Sequence, residues 1–356
     1  MNTMTNQFDE WLSDNGPAAL VIREHMTSVE GKDGVVFPAT FAASEDKTFK
    51  GGYNIDELGG GKNVCLIDSV GSQANRIEPL FSRDNYMNFV PQIVVNAGTR
   101  QVSILEAGHR AADAIIRCSS LQKVLQDAFK AAAKGDAEPL AKIAPTSLVF
   151  GVWDSRDTQT KLPRLVTSTI RAFDVQRLTR SAQYVPAAEY VTDGLLEESA
   201  DKKVTDAYAA KGFIHVPASG TPGGVIASSI RRDATLHLAA LRLLGAGADK
   251  EKTLKLRRYI LGLALTAVTH TPSGYLRQGC NLVLDPGVPR TFEIVSNDGT
   301  RVSAQVTHAN ALEYLAGVAE AFGVGESKTV NFDQTLAKAD VDEAGAKKAK
   351  ASKAKK

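Results

Sequence analysis

The chain has 356 residues, of which 43% are hydrophobic, 23% charged and 6% aromatic. These values exclude collagen-like, disordered and disulfide-scaffold classes and suit one large or two ordinary globular domains. Cys65, Cys118 and Cys280 are isolated, as in a reduced compartment. No apolar run reaches the roughly 18–20 residues of a membrane span, and residues 1–10 lack signal-peptide character, so a cytoplasmic location is expected.

The net charge of +2 is unevenly spread. Residues 344–356 carry six lysines and no acid, and without them 36 basic residues face 40 acidic ones. Residues 331–356 are therefore expected to be a disordered, lysine-rich tail, which serves either nucleic-acid attraction or solubility. Basic residues also cluster in 148–180, six against three acids, and in 228–258, eight against three. Residues 187–206 are the reverse, six acids against two lysines, and an exposed insertion is expected near 187–212.

In chain order, strands are expected at 20–26 and 35–41, then an irregular glycine-rich loop over 44–62 and a buried strand at 63–68. Two more strands follow at 92–96 and 101–106, turning at Gly98. Leu121, Val124, Leu125, Ala128 and Phe129 share one helical face. Ile230, Ala234, His237, Leu241 and Leu244 have the same spacing and predict a second helix, opened by Gly223-Gly224 and closed by Gly245. A third spans 256–267. Residues 291–296 and 301–306 form a hairpin across Asn297-Asp298-Gly299, and a last helix runs over 312–322. Irregular alternation with a clear hairpin favours an α+β class over a doubly wound parallel sheet.

Enzyme motifs fail in turn. Gly59-Gly60-Gly61-Lys62 lacks the spacing and the following Ser or Thr of a phosphate loop. His237 reads as a core residue, and Cys118 with His109 has no orienting partner. No metal-ligand spacing, cofactor motif or catalytic group stands out, so neither a metal nor a cofactor is expected.

The informative segment is 65–81, CLIDSVGSQANRIEPLF. A strand ends at Asp68, and Ser69, Ser72, Gln73, Asn75 and Arg76 gather donors at the junction with a short helix. That chemistry can grip a phosphodiester backbone without reading bases. It equally serves helix capping by Ser69 or Ser72, with Arg76 paired to Glu78 or to solvent. In 148–175 an apolar strand ends at Trp153-Asp154, followed by a polar loop with Arg156, Gln159 and Lys161. Helical spacing after Pro163 would stack Arg164, Ser168 and Arg171 on one face.

The strings DSVGSQANRIEPLF, FGVWDSRDTQTKLPRLVTSTIRAFDV, RRDATLHLAALRLL and GYLRQGCNLVL together resemble the backbone subunit of type I-G (formerly I-U) CRISPR Cascade surveillance complexes, in the RAMP superfamily. The resemblance runs from about residue 20 to 322. It implies a single hand-shaped domain over 1–330, with an RNA-recognition-motif-like (ferredoxin-like) palm and finger and thumb insertions near 44–62 and 187–212. It further implies a non-enzymatic antiviral role: head-to-tail copies bind the spacer of the CRISPR RNA, present it to target DNA, contact other Cascade subunits and precede a recruited helicase-nuclease. On this reading Ser72, Gln73, Asn75, Arg76, Arg156, Lys161, Arg164, Arg171, Arg231 and Arg232 bind RNA. The alternative in the same superfamily is an endoribonuclease acting on guide or target RNA, with Asp33 as the acid; a glycine-rich turn also takes Asp for conformational reasons.

Overall fold

The computed structural model describes residues 6–271 and 273–342. Its longest sheet starts with β1 (Ala19–Ser28), whose side chains alternate between buried and solvated, the period of a strand with one wet face. β2 (Ile55–Gly59) and β3 (Lys62–Asp68) form a hairpin that turns through Gly59, Gly60 and Gly61, all at positive φ. Part of the expected 44–62 loop is thus a strand. α1 (Val70–Ile77) leaves β3 directly. β4 (Ile93–Ala97) and β5 (Arg100–Ser103) turn at Gly98, and α2 (Gln122–Ala133) follows.

β6 (Val166–Phe173) returns to the large sheet. β7 (Gln176–Tyr184) and β8 (Val216–Ile226) then make a separate two-stranded hairpin, with α3 (Lys202–Lys211) and the acid-rich stretch in the connection between them. β9 (Ser229–His237), α4 (Lys250–Thr269), β10 (Tyr275–Arg277) and β11 (Cys280–Leu284) come next. β12 (Thr291–Val295), β13 (Arg301–Ser303), α5 (His308–Phe322) and β14 (Lys328–Asn331) complete the fold.

The sheet order is β10-β11-β1-β9-β6-β3-β2, with β12 and β13 continuing from the other end of β1. Every pairing in this sheet is antiparallel. The class is therefore α+β. A smaller sheet joins β5, β4 and β14, the last running parallel to β4.

Alternate residues of the central strands face the helices. Leu20, Ile22, Val166, Ala234 and Leu236 join the larger apolar cluster with α4 and α5, while Met26, Cys65, Ile67, Ile170 and Ile230 join a second one. The C-terminal half of α4 is buried all round, as suits a central helix. Gly262 lets α5 approach it closely, since a Cβ there would stand 3.0 Å from Val318 and 3.1 Å from Leu315.

Several expectations are corrected. Residues 229–237 are strand β9, and only Leu238–Leu241 is helical beyond it. Gly223-Gly224 therefore lies within β8 instead of opening a helix; Gly224 sits at φ 92, with Val35 pressed where a Cβ would be. The stretch after Pro163 is strand β6, so Ser168 and Arg171 face opposite sides of the sheet. The apolar run before Trp153 is helical at Pro145–Phe150, leaving a two-residue strand, Val152–Trp153. Of the expected strand at 35–41, an isolated bridge from Val36 and the pair Thr40–Phe41 remain. Asn331 ends β14 and residues 334–342 are helical, which corrects the expected start of a disordered tail; the lysine block at 344–356 lies outside the described residues.

Among the described residues no helix is long and apolar enough to cross a membrane.

Candidate nucleic-acid interface

The strand-to-helix junction is built around a buried carboxylate. Asp68, at the end of β3, is 2% exposed. It accepts hydrogen bonds from Ser72 Oγ (2.8 Å), Gln73 Nε2 (2.7 Å), Arg76 Nε (3.2 Å) and Arg277 Nη2 (3.0 Å). Ser69 caps α1 by accepting from the Ser72 amide at 3.3 Å. A carboxylate removed from water needs such donors, which explains why the sequence clusters them here. Arg76 also donates to the Leu276 carbonyl at 2.8 Å, and its side chain keeps 36% exposure.

The network continues across the inner face of the sheet. Gln73 Oε1 accepts from Ser168 Oγ (2.9 Å), and Ser168 accepts from Arg232 Nε (2.9 Å). Arg232, fully buried, pairs with Glu24, whose other oxygen lies 2.6 Å from Arg290. This polar row separates the two apolar clusters. Gln73 and Arg232 are consequently internal, and the expectation that these two hold RNA is corrected by burial and by these pairings; Ser72 is half-buried, with its hydroxyl donating to Asp68.

A second group of side chains surrounds an open groove beside the paired segments Val152–Trp153 and Lys161–Leu162. Trp153, Lys161 and Arg164 line it with His109, Arg110 and Thr167. Lys161 Nζ stands 5.4 Å from the Trp153 ring. Arg164 Nε donates to the Phe150 carbonyl at 3.0 Å, and burial, then the nearby Arg110, holds its guanidinium below the ordinary range. Gly151, at φ 77, makes this close approach possible, since a Cβ would stand 2.6 Å from Arg164 Cγ. Arg156 is exposed in the adjoining loop. Arg156, Lys161 and Arg164 form no ion pair among the described residues.

Arg110 joins this groove to the helix carrying Asn75. It is buried with φ 53, pairs with the buried Glu78 at 2.6 Å, and donates at 3.3 Å to both the Gly151 carbonyl and Asn75 Oδ1. Burial pushes the Glu78 carboxyl up to about 7 against the pull of Arg110. Asn75 and Arg76 also line a smaller cavity with Arg83 and His270. Through Arg110, Asn75 thus stands next to the groove of Lys161 and Arg164, whereas Arg76 lines the smaller cavity.

Arg171 and Arg231 form a third group, on the opposite, solvated face of the sheet, where they are directly paired across β6 and β9. Arg231 Nε bonds both oxygens of Asp233 (2.9 and 3.0 Å), and its guanidinium lies 4.9 Å from the Phe173 ring. Arg171 donates to Thr169 Oγ1 at 2.7 Å. The expected arginine stack along one helix does not form, because strand alternation splits it.

Sequence reasoning missed a fourth cluster. Lys50, Arg177 and Arg180 line a cleft at the base of the β7-β8 hairpin. Register irregularities after Arg177 and after Arg180 set their placement. The signal available was two arginines three apart in a segment bounded by polar residues, and pairing with Lys50 was invisible without the fold.

No curated protein matches the chain. Residues 20–177, which supply β1 to β6, the Asp68 junction and the groove of Lys161 and Arg164, match the family model described as CRISPR-associated protein GSU0053 (Cas_GSU0053).

Proposed function

We propose that this chain is the RNA-binding backbone subunit of an antiviral type I CRISPR effector, of the type I-G kind. Its copies repeat head to tail along the guide spacer through sugar–phosphate contacts. The antiparallel sheet with its helical face is read as the ferredoxin-like palm, and the β7-β8 hairpin as the thumb. The observation that carries the reading is the groove in which Lys161 and Arg164, with Arg156 beside it, stand without carboxylate partners among the described residues. Cations left unneutralised around an open groove suit a polyanion, and phosphate contacts are the means by which a subunit can hold any spacer sequence. Heterologous contacts between copies generate an open filament whose length follows the guide. Target DNA, other Cascade subunits and a recruited helicase-nuclease are the partners this role requires; the chain's own part is binding and not cleavage.

The test is binding of three single-stranded RNAs of unrelated sequence over a salt series. Dissociation constants within about threefold of one another are expected, with log K falling by about 0.7 per phosphate contact against log salt. A tenfold preference for one sequence, or no binding, would overturn the reading. RNA cleavage by the wild type that disappears in Asp33→Ala would favour the endoribonuclease instead; Asp33 is exposed in the turn after β1.

A further inference from the structure

Trp153 is 56% exposed, an unusual state for an indole that the backbone holds firmly. It sits in a two-residue strand paired with Lys161–Leu162. The loop between the two strands is closed by the buried Asp154, which accepts hydrogen bonds from the Asp157 amide (3.2 Å), the Thr158 amide (2.8 Å) and Thr158 Oγ1 (2.7 Å). The Asp154 amide in turn donates to the Thr160 carbonyl at 2.9 Å. On the other side Gly151 presses the chain against Arg164. The indole is therefore presented on a preorganised support, so little conformational entropy remains to be lost on contact.

Its surroundings combine cations with Val152, Leu162 and Pro163. Lys161 lies over the ring, and His109, Arg110 and Arg164 line the same groove. Of the five cation–ring pairs among the described residues, this one alone has an exposed ring. A protein partner that buried the indole would have to desolvate Lys161 and Arg164 as well, whereas a nucleotide meets both at once: the base takes the ring and the phosphate takes the cations.

We propose that Trp153 is a stacking platform for one unpaired nucleobase of the bound RNA, with Lys161 and Arg164 holding the flanking phosphates. The inference rests on the RNA-binding reading above and adds a base contact to it. Stacking accepts every base, because each has a π-face, so the contact keeps binding independent of sequence.

The experiment compares wild type, Trp153→Ala and Trp153→Phe for binding to a mixed-sequence single-stranded RNA and to an abasic ribose–phosphate chain of equal length. Trp153→Ala is expected to weaken RNA binding about tenfold or more, with Trp153→Phe within about threefold of wild type. The salt slope should be unchanged and the abasic chain should bind wild type and Trp153→Ala alike. Thermal melting of both variants at the wild-type temperature confirms folding, as expected for an exposed side chain. Unchanged RNA affinity in Trp153→Ala, or an equal loss on the abasic chain, overturns the stacking role while leaving RNA binding intact. So does loss in that variant of a co-purifying protein instead of RNA. Absence of RNA binding by the wild type overturns both readings together.

Discussion

Arg232→Ala is expected to lower stability by about 3–5 kcal/mol, because it leaves Glu24 buried without one of its two charged partners. Ser168 would lose a donor at the same time, interrupting the row that runs through Gln73 to Asp68. Arg231→Ala, one residue earlier on the same strand, should change stability by less than about 1 kcal/mol, since its pairing with Asp233 is partly solvated. Urea denaturation of the two variants checks this, with the shift in midpoint read at constant slope. Equal midpoints would show that the inner ion pair contributes nothing beyond a surface one. Glu24→Leu combined with Arg232→Met should lose less than the sum of the two single changes, because the uncompensated charge then disappears from both sides; the coupling would be expected within the usual range of about 0.5–3 kcal/mol. Arg290, which also meets Glu24 through a buried Nη2, loses that partner in the double variant, so part of the loss persists.

The same arginine disguises β9 as a helix. Its inward positions are Ile230, Arg232, Ala234 and Leu236, and a charged residue in that series hides the alternation that marks a strand. Ile230 and Ala234 are four apart, a spacing that fits both a helix face and every second position of a strand. β6 carried the same ambiguity: Val166, Ile170 and Phe173 fit helical spacing, yet the segment is rich in β-branched residues, which is the feature that separates the two periods. Where the apolar stripe was longer, as in α2, α4 and α5, the period was decisive and the helices stand where the spacing put them.

The candidate site was legible as residue types and illegible as partnerships. Donors at Ser72, Gln73 and Arg76 stood out, but the carboxylate that uses them, Asp68, is also drawn on by Arg277, which lies far along the chain. Adjacent arginines meet opposite fates: Arg231 reaches the solvated face and Arg232 the interior, as strand alternation requires. Lys161 and Arg164 reach one groove because a short hairpin and a helix end bring Trp153 and Gly151 alongside them. Local pattern names the element, whereas the choice between ion pair and open cation depends on contacts that only the assembled sheet creates.

Lys161→Glu combined with Arg164→Glu is accordingly expected to weaken single-stranded RNA binding by about 100-fold near 0.1 M salt. Each lost charge-assisted contact is worth roughly 1.5–3 kcal/mol, and each 1.4 kcal/mol is tenfold. The slope of log K against log salt should become shallower by about 1.4, at roughly 0.7 for each phosphate contact removed from a single strand. Folding should be little affected: Lys161 is exposed, and Arg164 gives up one hydrogen bond to the Phe150 carbonyl. The matched control is Arg171→Glu, four residues along β6 from Thr167 at the edge of the groove, where the side chain is engaged with Thr169; it should leave the slope within experimental error if the strand follows the groove. A filter-binding or anisotropy titration across the salt series reads both quantities from one data set. Should the groove variant keep the wild-type slope while Arg171→Glu loses it, the RNA would run over the solvated face of the sheet, and the assignment of the groove of Lys161 and Arg164 would be wrong.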